Sequence, residues 1–166
     1  MKPISLTIEA FGPYRDSVTL DFSKLENHSM FLIPGPTGAG KTSILDAMVY
    51  ALYGEPSGEV RKTDAIRSDF AEPERMTRVD FSFAIGDAQY RVERLPKQMV
   101  AKKRGTGMRE QNASATVYEM KAGEWKIVAT SAAAVRDTIQ RIIGFRKDQF
   151  LQVVLLPQGE FRKLLV

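Results

Sequence analysis

Hydrophobic and polar positions follow two periods along this chain. Residues Ile4 to Ala10 alternate, which is the period-2 signature of a strand with one buried face. Phe11-Gly12-Pro13 breaks the alternation and Ser17 to Phe22 resumes it, predicting two strands around a turn. Ser29 to Ile33 contains the run Met-Phe-Leu-Ile, stops at Pro34-Gly35, and predicts a strand buried on both faces. From Lys41 the spacing becomes helical. Ile44, Met48 and Leu52 recur every four residues, flanked by Leu45, Val49 and Ala51, until Gly54 and Pro56 end the helix.

Glu55 to Arg78 is charged, rich in Pro, Gly and Asp, and reads as loop. Val79 to Ile85 and Gln89 to Leu95 alternate around Gly86-Asp87, a hairpin signal. Ser114 to Met120 and Trp125 to Val128 form a second such pair around Ala122-Gly123, with Trp125 packing within its strand or the core. Ser131 stands where an N-cap belongs, before a helix carrying Val135, Ile139 and Ile142, with Gly144 just past its end. Phe150 to Leu156 is strongly apolar and predicts a short helix passing into a strand.

Composition narrows the class. At 166 residues, 43% hydrophobic and 27% charged, the sequence is that of one globular domain. No apolar run approaches the roughly 18 residues of a membrane span, and the N-terminus lacks a signal-peptide layout. The absence of cysteine excludes disulfides and thiolate metal sites and fits a reducing cytoplasm. A single histidine, His28, argues against a zinc centre or a histidine-based triad. The net charge of +4 belongs to one segment: Arg94, Lys97, Lys102, Lys103, Arg104 and Arg109 fall in a stretch with no acidic residue.

Candidate chemistry lies between the third predicted strand and the first helix. Gly35-Pro36-Thr37-Gly38-Ala39-Gly40-Lys41-Thr42 fits G-x-x-x-x-G-K-[ST], a pattern that chance places in a chain of this composition roughly once in 150. Glycines at 35, 38 and 40 let the backbone curl so that successive N–H groups face phosphate oxygens. The helix starts there, with its unpaired N–H groups and positive dipole end aimed at the same anion. Lys41 supplies a mobile cation for the terminal phosphates, and Thr42 offers Mg²⁺ a hard oxygen ligand. Ser43 reads as a first-turn residue near the phosphates. Hydrolysis also needs a carboxylate at the end of a second apolar strand. No run of four apolar residues here ends in Asp or Glu; Val18-Thr19-Leu20-Asp21 comes nearest, but precedes the loop. The nucleotide site is therefore expected to be incomplete.

The phosphate loop and its continuation through Ala51-Leu52-Tyr53-Gly54 resemble the first lobe of SMC-like ABC ATPases. The opening Ile4 to Tyr14, the Ile66-Arg67-Ser68-Asp69-Phe70 stretch and Leu155-Leu156-Pro157-Gln158-Gly159-Glu160-Phe161 narrow the resemblance to the SbcC family, the ATPase components of bacterial SbcCD nucleases. That resemblance implies an α/β P-loop NTPase fold, an ABC-type half-head with an added antiparallel β subdomain, spanning residues 1–166. It implies an N-terminal half cut at the start of a coiled coil, with the signature motif, acidic strand end and switch histidine in a C-terminal half. It implies ATP and Mg²⁺ as cofactors, sandwiched between this head and a second one. It makes Gln158 the Q-loop glutamine, near Mg²⁺ and the attacking water. It implies a cytoplasmic, nucleoid-associated protein whose partners are the SbcD nuclease and double-stranded DNA, with hydrolysis controlling access to DNA ends.

Some features carry two readings. The 94–109 segment is either a solvated hairpin insertion or a contact to DNA phosphates through Lys102, Lys103 and Arg104. Arg67-Ser68-Asp69 reads as a local ion pair tying a loop, the other possibility being contact with the nucleotide. Asp46, one position off the apolar stripe, reads as a buried hydrogen-bonding residue. A small-molecule P-loop kinase and a DNA-binding module using nucleotide only structurally are the competing function classes. The first should bring its own acceptor pocket and lid, and multiple-turnover hydrolysis by the complete head excludes the second.

Overall fold

The structure, a computed structural model, describes residues 1–25, 32–57, 66–102 and 106–153. In chain order its strands are β1 (Lys2–Glu9), β2 (Val18–Asp21), β3 (Arg78–Ile85), β4 (Ala88–Leu95), β5 (Gln98–Ala101), β6 (Met108–Gln111), β7 (Ser114–Lys121) and β8 (Glu124–Ala129). Its helices are α1 (Lys41–Tyr53), α2 (Ala132–Ile143) and α3 (Lys147–Val153). Six strands form one antiparallel sheet in the order β2-β1-β3-β4-β7-β8, and β5 and β6 pair separately as a ribbon.

Alternation fixes which face of the sheet is dry. Leu20, Leu6, Phe81, Val92, Val117 and Ala129 are successive partners across all six strands, so one apolar row crosses the whole sheet. The neighbours Ile8, Val79 and Phe83 are fully buried beside it. Helix α1 covers this face over β3 and β4, and α2 covers it over β7 and β8. The opposite face is polar: Arg91 pairs with Asp80 at 2.6 Å, Arg78 bonds both Asp80 and Glu93, and Trp125 is half-exposed at its margin.

Both hairpins close through two-residue turns. Gly86 takes φ 56 between β3 and β4, while Ala122 and Gly123 take φ 52 and 80 between β7 and β8. Ser131 Oγ accepts from the Ala134 N–H at 3.2 Å, and Gly144 ends α2 in the left-handed conformation. Helix α3 bears out the helical start of the last apolar segment; its predicted continuation as a strand lies outside the described residues.

One expectation is corrected. Leu32 and Ile33, read as the end of a buried strand, lie outside any strand and are 85% and 36% exposed. A strand buried on both faces needs hydrogen-bonded neighbours, and none of the described strands pairs with these residues. Residues 29–31 of that run are outside the described residues.

Candidate nucleotide-binding site

The phosphate loop is exposed and leads directly into α1. Gly38 and Gly40 have φ of 84 and 86, in the left-handed region that admits glycine without strain. Gly40 occupies the N-cap position and offers no side-chain cap. The first helical bond runs from the Ile44 N–H to Gly40 O at 3.3 Å, so the N–H groups of Lys41, Thr42 and Ser43 precede the ladder. Within the loop, the Ala39 N–H donates to Pro36 O at 3.2 Å. Lys41 Nζ donates to Gly35 O at 2.8 Å and Pro36 O at 2.7 Å, bracing the near end of the loop against the helix start. Thr42 is exposed and Ser43 is buried against the body of the domain.

These residues face a cavity of about 670 Å³ whose other walls come from segments distant in sequence. One wall is the turn after β1, with Gly12 and Pro13; another is the segment carrying Arg67, Asp69 and Phe70. The two walls are bolted together: the Gly12 N–H donates to Ile66 O at 2.8 Å and the Ser68 N–H to Ala10 O at 2.9 Å. Phe70 stands 70% exposed at the rim. Sequence reasoning weighed Arg67-Ser68-Asp69 as a nucleotide contact but missed the Gly12–Pro13 wall, although a signal for it was present in Phe11-Gly12-Pro13-Tyr14, which does more than end a strand. Positive φ at Ala10 (47) just before it and at Gly12 (53) within it turns the chain back toward the loop.

The Arg67–Asp69 ion pair is corrected. Arg67 donates to the carbonyls of Arg75 at 2.6 Å and Glu72 at 2.8 Å, and to Thr77 Oγ1 at 3.2 Å. It ties its loop as expected, but through backbone acceptors and a hydroxyl, and Asp69 is left facing the cavity. Asp46 is buried and accepts from the Ser57 hydroxyl, the structural role anticipated for it.

The basic segment divides. Arg94 belongs to the core: Nε donates to Ala51 O at 2.9 Å and Nη2 to Leu52 O at 3.2 Å, closing the C-terminal end of α1. Burial pulls its pKa below the ordinary arginine value. Beyond it, Gln98–Ala101 and Met108–Gln111 form the β5–β6 ribbon, anchored where the Gln98 side chain bonds the Thr77 N–H at 2.7 Å and carbonyl at 3.0 Å. Lys97 pairs with Glu110 at 3.1 Å, while Lys102 and Arg109 are exposed. Lys103, Arg104 and Gln158 lie outside the described residues.

Known proteins resemble this chain along nearly its whole sequence. A family model described as an AAA domain matches residues 5–165. The chain belongs to that AAA family. It is thus a P-loop nucleotide-binding domain of mixed α/β type, built here on an antiparallel sheet. The chain is 44% identical over 165 residues to the SbcC component of the SbcCD nuclease of Vibrio cholerae, with 99% of this chain and 16% of that protein covered. Similar proteins of the same name occur in Lactococcus lactis, at 41% over 168 residues covering 99% of this chain, and in Staphylococcus aureus, at 39% over 166 residues covering all of it. The chain spans 16% of the length of each of these relatives. Among the described residues, no helix is long and apolar enough to cross a membrane.

Proposed function

We propose that this AAA domain is the ATP-binding lobe of an SbcC-type ATPase, working in the cytoplasm on nucleoid DNA. The observation that carries the reading is the phosphate loop, which opens α1 onto a cavity with the Lys41, Thr42 and Ser43 N–H groups ahead of the helical ladder. Identity of 44% along nearly the whole chain with an SbcC protein supports the family assignment. In this reading the amides of Gly38 and of residues 40–43 hold the phosphates, and Lys41 exchanges its two carbonyl partners for terminal phosphate oxygens. The exposed Thr42 hydroxyl is the hard ligand that Mg²⁺ requires, and bound Mg²⁺ would neutralise charge on the phosphates.

The finer assembly is part of the same proposal. The lobe is half of an ABC-type head, completed by a C-terminal half of the same protein and paired with a second head. Gln158 approaches Mg²⁺ and the attacking water, and hydrolysis governs access of an SbcD nuclease to double-stranded DNA ends. ATP–Mg²⁺ binding by calorimetry tests the core of the reading, with Lys41→Ala expected to weaken binding at least about a hundredfold. Mixing with the C-terminal half should produce ATP turnover that neither part shows alone. Turnover by this chain alone would overturn the incomplete-site reading, and undiminished turnover in a Gln158→Ala head would remove that residue's role.

A further inference from the structure

We propose that Tyr14 is a positioning residue of the phosphate loop, fixing the Gly40 peptide from which the loop's amides fan out. Its hydroxyl donates to Gly40 O at 3.2 Å, the carbonyl that also accepts from the Ile44 N–H. Both acceptor directions of that oxygen are thereby used, which sets the plane of the peptide joining Gly40 to Lys41. The contact is steric as well. A Cβ placed on Gly40 would lie 2.8 Å from Pro13 Cγ, 3.0 Å from Tyr14 Oη and 3.1 Å from Tyr14 Cε2. Glycine at 40 thus satisfies two demands, its φ of 86 and the ring packed on its Cα.

The ring can serve as a fixed stop because its own turn is held from three sides. Phe11 and Tyr14 exchange backbone bonds, both at 2.9 Å, and the Gly12 N–H is tied to Ile66 O. Phe11 packs on Tyr50 of α1 with ring centroids 5.9 Å apart. The turn therefore grips α1 at its N-cap through Tyr14 and nearly three turns along through Phe11. A helix held this way presents its leading N–H groups in one orientation whether or not an anion is there, the preorganisation that favours tight anion binding.

The test uses the full chain and Tyr14→Phe, which keeps the ring against Gly40 and removes the hydrogen bond. Amide exchange of Ile44 and its neighbours in the nucleotide-free protein should rise about fivefold, with the thermal midpoint falling by no more than about 4 °C. ATP–Mg²⁺ affinity should fall about fivefold, and Tyr14→Leu should lower it further. Unchanged exchange in Tyr14→Phe overturns the proposal whatever the site binds. Faster exchange with unchanged affinity overturns it too, because the loop's amides would then not depend on the Gly40 peptide. The affinity arm rests on the nucleotide reading proposed above, and the exchange arm does not. A wild-type chain that binds no ATP–Mg²⁺ while Tyr14→Phe exchanges faster would sink that reading and leave the positioning role standing.

Discussion

The two ends of α1 are finished in opposite ways. At the first turn Gly40 sits at the N-cap with no side chain to offer, and the leading N–H groups face an open cavity. At the last turn Gly54 donates its N–H to Tyr50 O at 2.8 Å, and Arg94 covers the carbonyls of Ala51 and Leu52 from within the core. A helix carries about half a positive charge at its start and half a negative at its end. Here the negative end is answered internally by a buried guanidinium, and in the function proposed above the positive end is answered by phosphates. On that proposal, stability and binding belong to different ends of one element.

The sharpest way to break that division is to remove the internal cation. Arg94→Ala uncaps two carbonyls and strips the packing on Tyr50, whose ring centroid is 6.0 Å from the guanidinium carbon. Urea denaturation should show a loss of about 3 kcal/mol. A loss below about 1 kcal/mol would mean that the carbonyls find water instead. Next in size is an alkaline effect at the same end. Burial raises the Tyr50 hydroxyl from 10.0 to about 12. Above pH 10 the unfolded chain releases this proton while the native state keeps it, so stability present below pH 10 is lost as pH rises toward about 12. The Tyr50 share of the fall should be on the order of 2 kcal/mol, and Tyr50→Phe should remove that share while Tyr53, which burial also raises, keeps the rest.

At the open end, Gly40→Ala forces a side chain into the left-handed region and against Pro13 and Tyr14. It should cost about 1.5 kcal/mol by thermal unfolding, and reduce ATP–Mg²⁺ affinity in the folded protein as well. Unimpaired affinity would show that the loop tolerates a shifted first peptide. Helix α2 supplies the contrast of an ordinary N-terminus. Ser131→Ala should cost about 1 kcal/mol by denaturation and leave nucleotide affinity alone. Smallest of all is a solvated charge: Lys97→Met, breaking an exposed pair with Glu110, should change stability by less than about 0.5 kcal/mol.

Local rules carried far into this fold. Alternation located both hairpins, because each strand buries one face and each turn is two residues long. The phosphate loop and α1 were legible for a comparable reason, since glycines, lysine and helix start adjoin in sequence. What sequence distance hid was how the wall opposite the loop is joined, residues 10–12 meeting 66–68 through backbone bonds that no side-chain pattern announces. Leu32-Ile33 misled because an apolar run does not state whether neighbouring strands exist to pair with it. Arg94 was partly visible. It shares an inward position with Val92 in the alternation of β4, and an arginine on a dry face must have acceptors waiting. Grouping it with the basic stretch by charge alone obscured that.

The strand order also bears on when the site comes into being. β3 reaches β4, and β7 reaches β8, through tight turns, and such hairpins form on the microsecond scale. β1 must instead find β3 across the whole excursion that holds the phosphate loop and α1, pairing Leu6 with Phe81. Closing so long a loop costs entropy before any contact repays it. On refolding, nucleotide binding should therefore reappear after the hairpin amides are already protected, a delay that stopped-flow binding and pulsed exchange would resolve. A chain arranged this way acquires its hairpins first and its ligand site last.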